Sequence, residues 1–170
     1  TLLDSNCKET TCADLNIKID VKLIELPEAK AMDDCNSICV VETVCGDCDP
    51  KVKSATAACG NLLENDKNLD CDPSSIIKIA DSKNPQGVTP DANGDIIIKG
   101  EFGTLTVHTS GPDAGKYGYV LNADATPCDG AKDKFTYTLL DSNCKETTCA
   151  DLNINIDVKL IELPEAKAMD

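Results

Sequence analysis

The stretch "LNIKIDVKLIEL", residues 15–26, returns as "LNINIDVKLIEL" at residues 152–163. In the first copy Leu15, Ile17, Ile19, Val21 and Leu23 alternate with Asn16, Lys18, Asp20 and Lys22. A period of two sustained over this length predicts a half-buried strand, with one face on a core and the other in water. Strands of this kind decide the fold class.

The repetition is wider than the strand. Residues 1–33 and 138–170 differ only where Lys18 becomes Asn155. The offset is 138 − 1 = 137 residues, the size of one ordinary domain. A copy at fixed offset marks an internal repeat, so the chain reads as a window on a tandem array. A duplicated end introduced by cloning is the alternative; the drift at Lys18/Asn155 favours a natural repeat.

Further strands are predicted at 39–44, 75–80, 95–100, 103–109, 116–122 and 135–140, separated by turn-forming clusters such as "DCDP", "DANGD" and "SGPDAG". Phe135–Leu140 and the strand at 152–163 read as a hairpin across "DSNCKETTC". The nearest approach to a helical stripe, "SATAACGNLLEN" (54–65), contains Gly60 and is not convincing. Some seven short strands at this spacing predict an all-β sandwich.

Thirty Asp and Glu against sixteen Lys, with no Arg, give a net charge of −14. Such a chain is repelled by phosphate backbones and anionic membrane surfaces, which argues against nucleic acid as a partner. No run approaches the ~18 apolar residues needed to span a bilayer. Trp is absent and aromatics make up 3%, so the core must be largely aliphatic. Eleven Cys in an acidic, repetitive chain argue for disulfides in an oxidising compartment, hence an extracellular, cell-surface location. A reduced protein with a metal site is the competing reading.

The order of the pieces carries a specific resemblance. "PEAKAMDD" (27–34) opens the unit, followed by "GNLLENDKNLDCDP" (60–73), "GEFGTLTVHTSGPDAGKYGYVLNADAT" (100–126), "DKFTYTLLDSN" (133–143) and the closing strand "LNINIDVKLIEL". This resembles the VCBS-type and cadherin-like bacterial immunoglobulin-like repeats of large exported adhesins and surface filaments. It covers nearly all of 27–163 and is weakest at 35–58. The resemblance implies a disulfide-rich immunoglobulin-like β-sandwich with boundaries at Pro27 and Pro164. Residues 1–26 are then the last hairpin of a preceding repeat, 27–163 one complete repeat with a Cys-rich insertion at 35–59, and 164–170 the start of the next. It further implies a structural role in a filament, stalk or adhesin shaft whose partners are copies of itself, joined in tandem, by strand donation or by inter-unit disulfides.

Candidate sites follow from residue chemistry. "NDKNLDCD" sets Asp66, Asn68, Asp70 and Asp72 at alternate positions of a turn-rich segment, and hard cations want several oxygen ligands. The resembling repeats bind calcium with such groups together with the "DD" after the opening Pro, here Asp33 and Asp34. The resemblance thus implies calcium at Asp33, Asp34, Asp66, Asp70 and Asp72, with an ordinary solvated turn as the other reading of the same residues. Asp91, Asn93 and Asp95 begin like an EF-hand loop, but Ile96 and Phe102 occupy the positions that need Gly and Glu. Asn93-Gly94 reads instead as a hairpin turn needing positive φ.

Cys144 and Cys149 flank "KETT", as Cys7 and Cys12 do in the copy, and a disulfide across each tip would pin the register. Cys35, Cys39, Cys45 and Cys48 could bind zinc, but disulfides with Cys59, Cys71 or Cys128 are favoured. Asp49 stands where a haem attachment motif needs His. Nine Cys fall between Pro27 and Leu163, so one thiol per repeat is left over and an inter-unit disulfide is expected, most naturally from Cys35–Cys48. His108, the only His, assembles no triad, phosphate loop or carboxylate pair, and no enzyme is expected. The rival to a structural role is an extracellular binding module using segment 35–59 to hold a ligand or zinc.

Overall fold

Alternation turns into strand wherever one side of the chain finds a core. The computed structural model describes residues 2–3, 9–11, 30–45, 48–67, 76–140 and 146–163. In order these form β1 (Leu2–Leu3), β2 (Glu9–Thr11), β3 (Asp34–Cys45), β4 (Cys48–Ala55), β5 (Ala58–Asn61), β6 (Ile76–Ala80), β7 (Asp95–Lys99), β8 (Gly103–His108), β9 (Lys116–Leu121), β10 (Ala131–Leu140) and β11 (Glu146–Leu163). A 3-10 turn at Gly111–Asp113 is the one helical element among the described residues. The fold is all-β.

One sheet runs β4-β3-β11-β10-β6 and another β5-β9-β8-β7. Their inward faces supply one core: Ile38 and Val40 from β3, Leu152, Ile154 and Ile156 from β11, and Phe135, Tyr137 and Leu139 from β10 meet Ile96, Ile98, Leu105, Val107 and Tyr119 from the second sheet. The outward residues between them are polar or exposed, except the half-buried Cys39. All pairings are antiparallel except β3 with β11, which run parallel with Asp34 beside Leu152 and Cys45 beside Leu163. The ends of β11 define a lower end, near Asp34, and an upper end, near Cys45.

The two sheets are pinned together by a buried carboxylate. Asp133, on β10, points inward in phase with Phe135 and Tyr137. Its oxygens accept the backbone N–H of Glu101 at 2.9 Å, Phe102 at 3.1 Å and Gly103 at 2.9 Å, in the β7–β8 turn of the facing sheet. The Tyr119 hydroxyl adds a fourth bond at 2.7 Å. Gly103 is required because a Cβ there would collide with the Tyr119 ring.

Four local expectations shift. Strand β3 begins at Asp34 because parallel pairing with β11 draws in "DCNS", which has little strand propensity of its own. The segment 48–61 supplies β4 and β5, which period-two alternation did not reveal. Strand β11 begins earlier than expected: Glu146 to Cys149 are already strand, and Cys149 stands opposite Thr138 in the register. Gly94 has the expected positive φ of 81°. The turn leads out of the 81–90 loop into β7, however, with no strand before it.

β1 and β2 pair with each other, Leu2 opposite Thr11 and Leu3 opposite Glu9, as a separate two-stranded sheet. Of the proposed divisions, 12–29 and 164–170 lie outside the described residues. Within the Cys-rich segment, residues 35–45, 48–55 and 58–59 are strands of the two sheets.

Candidate functional site

The lower end gathers acidic groups around one phenol. Tyr137 is the third inward residue of β10 after Asp133 and Phe135, and its ring is buried with the hydroxyl reaching the sheet's lower rim. The hydroxyl lies 2.8 Å from the Met32 carbonyl, 3.1 Å from Asp34 Oδ2, 3.2 Å from the Leu62 carbonyl, and 3.3 and 3.4 Å from the Asp66 oxygens. One O–H has one proton, and the Met32 carbonyl is the nearest acceptor. The two carboxylates and the Leu62 carbonyl thus converge with few donors to satisfy them. The Met32 N–H, donating to Asp66 Oδ1 at 2.7 Å, is the firmest that Asp66 has.

The electrostatics follow from that shortage. Burial raises the Asp66 carboxyl to about 6, opposed by the Met32 N–H and the Tyr137 hydroxyl and reinforced by the nearby charge of Asp34. Burial likewise raises Asp34, against the Tyr137 bond and with Asp33 and Glu64 adding repulsion. Tyr137 is held far above its ordinary value, first by burial and then by the two carboxylates. Such a cluster can share a proton or seat a cation.

Of the expected calcium ligands, Asp34 and Asp66 are brought together here. Asp33 turns aside, its Oδ1 accepting the Asp151 N–H at 3.0 Å. Asp70 and Asp72 lie outside the described residues. Among the described residues no three His, Cys, Asp or Glu side chains converge tightly enough to hold a metal ion. The EF-hand-like set does other work: Asp91 Oδ1 accepts the N–H of Asn93 at 2.8 Å and of Asp95 at 3.0 Å. Those bonds pull its carboxyl below the usual range.

Cys35, Cys39, Cys59, Cys128 and Cys149 stand as thiols, all exposed except the half-buried Cys39. Cys35 and Cys39 lie on β3 of one sheet, while Cys59 lies on β5 of the other. Asn155 Nδ2 donates to Cys35 Sγ at 3.2 Å, and Cys149 Sγ meets Thr138 Oγ1 at 3.4 Å. Cys45 and Cys48 face each other in the β3–β4 register. Cys7, Cys12, Cys71 and Cys144 lie outside the described residues. His108, on β8, pairs across the strands with Asp95 at 2.7 Å on an exposed surface. A shallow depression of about 340 Å³ lies between Asp81, Glu101 and the Lys132–Lys134 stretch. It is remote in character from the acidic rim, mixing both signs of charge.

Sequence reasoning missed Tyr137, Tyr119 and Asp133. The signal was in "AKDKFTYTLL": Asp133 shares the phase of Phe135, Tyr137 and Leu139, and a charged residue in phase with an apolar face must be buried and bonded. No protein-family model matches the chain, and no curated protein matches it in sequence. No helix among the described residues is long and apolar enough to cross a membrane.

Proposed function

We propose that this chain is an immunoglobulin-like, cadherin-like β-sandwich unit of an extracellular structural protein, a surface filament, stalk or adhesin shaft. Copies of the unit are its partners, and disulfides and calcium stiffen it. The observation that carries the reading is the register of the two sequence copies. Leu2–Thr11 and Leu3–Glu9 in β1–β2 reproduce, shifted by 137 residues, Leu139–Thr148 and Leu140–Glu146 in β10–β11, including the irregularity between the two leucines. The same segment thus makes the same hairpin in two surroundings, as the end of a repeat would.

The parallel pairing supports an array of beads in line. Residues 30–33 join the unit at the lower end, beside Tyr137 and Asp151. β11 leaves it at the upper end, eleven residues and about 36 Å away. The layout of 35–45, 48–55 and 58–59 as sheet strands favours a structural role over a ligand-holding loop. Calcium belongs to the proposal through the donor-poor carboxylates Asp34 and Asp66, with Asp70 and Asp72 to complete the shell.

Labelling intact cells with a membrane-impermeant amine reagent tests the location. Extensive labelling of the lysines before lysis is expected. Labelling only after lysis would place the protein inside the cell and remove the structural surface role.

A further inference from the structure

Among the described residues, the upper part of β11 is paired on one side only. β10 accompanies it as far as Ile156, opposite Ala131. Two residues on, the edge is closed by a side chain, Asp129 Oδ1 accepting the Val158 N–H at 3.0 Å. From Lys159 to Leu163 no strand among the described residues runs along that side, while β3 holds the other side as far as Cys45. Leu160 is 65% exposed and Ile161 47%. These are consecutive residues, so both faces of the edge hold a large apolar side chain in water. An unpaired apolar edge is a template for another strand.

We propose that the edge Lys159–Leu163 accepts residues 21–26 of a second copy of this chain as an added antiparallel strand. The step rests on the reading of the protein as a self-assembling unit. Residues 21–26 repeat the sequence of 158–163, and "KLIE" is complementary to its own reverse. Antiparallel, Lys159 falls opposite Glu25, Leu160 opposite Ile24, Ile161 opposite Leu23 and Glu162 opposite Lys22. Val158 opposite Leu26 and Leu163 opposite Val21 flank them. Opposite charges and apolar pairs set directly across a ladder are the favourable cross-strand combinations, and backbone bonds along an exposed edge supply the rest.

Symmetry and reach select this occupant. Lys159 and Glu162 lie on opposite faces of their own strand, because side chains alternate. Two such edges related by a twofold axis therefore cannot set Lys159 beside Glu162, whereas the unrelated segment 21–26 can. Nor can the segment of the same chain reach easily. Asp33 is tied to the Asp151 N–H, and the position facing Leu26 is Val158. That is seven residues up β11 and two strand spacings across, about 25 Å. Leu26 to Asp33 spans at most about 25 Å when straight. Residues 30 and 32 are instead drawn aside, Lys30 by backbone bonds to Lys67 and the Met32 N–H by the Asp66 carboxylate.

Sedimentation of the 170-residue chain in reductant, over a concentration series, tests the proposal. The native sequence is expected to self-associate. Lys159→Glu with Glu162→Lys should weaken association about tenfold, by turning two attractive cross-strand pairs repulsive. Adding Lys22→Glu and Glu25→Lys should restore it. Three results would overturn the proposal: a native chain monomeric to millimolar concentration, association unmoved by the one-sided exchange, or no recovery with the compensating pair. Circular dichroism of each variant checks that the sheets are intact. The structural reading fails separately, if the protein is found inside the cell whatever the association state.

Discussion

Tyr119 Oη and Asp133 Oδ2 lie 2.7 Å apart, both buried, one on each of the two sheets. The pair matters because Asp133 also accepts three consecutive backbone N–H groups of the β7–β8 turn. Burial, together with the bond to Asp133 and its charge, drives the Tyr119 phenol well above its ordinary value, so it stays a donor at every physiological pH. The first prediction concerns this pin. Asp133→Ala leaves buried donors without an acceptor and should cost about 3 kcal/mol or more, while Tyr119→Phe removes one bond and should cost about 1 kcal/mol. Urea titration of both variants checks the order; equal losses would show that the backbone bonds contribute nothing.

The second prediction concerns pH. Asp66 holds its proton to about 6 in the folded protein, against about 3.9 in an unfolded chain. A carboxyl raised by folding contributes stability that is complete below about 4 and is lost as pH rises through about 6. In chelator the melting temperature should therefore carry a downward component between those values. Asp66→Asn, which cannot ionise but keeps an acceptor for the Met32 N–H, should flatten it. A variant with the same slope as the native protein would assign the pH dependence to another group.

A cation should reverse that loss. Once Asp34 and Asp66 have both lost their protons, calcium offsets their repulsion; at low pH the cation competes with protons and gains little. At free calcium 100-fold above its Kd the added stability is about 2.7 kcal/mol. Melting curves in calcium and in chelator, recorded at pH 7 with disulfides intact, should separate. Superimposed curves would leave the acidic rim as a proton-sharing cluster and remove calcium from the account.

The cysteines give a fourth prediction. Cys45 and Cys48 are paired positions in the β3–β4 register, a backbone spacing that suits a disulfide. If they pair, the seven remaining Cys of the unit cannot all pair within it, and Cys35, exposed on the outer side of β3, is placed to bond a neighbour. Peptide mapping after alkylation should find Cys45 and Cys48 joined and Cys35 blocked in the native assembly. Alkylated Cys35 throughout would deny an inter-unit bond from this strand.

Much of this architecture is legible in the chain, for a physical reason. Strands with one wet face write their period into the sequence, as Leu152, Ile154 and Ile156 do. β4 and β5 do not, since "CDPKVKSA" and "ACGN" are edge strands whose membership is decided by what they pair with. The extension of β3 back to Asp34 is invisible for the same cause: its polar residues are strand because β11 lies beside them. At the acidic rim, turn chemistry singled out Asp66, and the family resemblance alone joined Asp34 to it. Their shared partner Tyr137, some seventy residues further on, was a matter of tertiary folding, hinted at only by its phase with Asp133.

The central claim is that the chain is one bead of a repeating structural protein. Intact-mass measurement of the native polypeptide, after partial proteolysis under reducing conditions, tests it most directly. The account predicts a ladder whose rungs differ by one unit of 137 residues, because cleavage at the Pro27 and Pro164 junctions releases whole sandwiches. A single resistant species with no such spacing would contradict it.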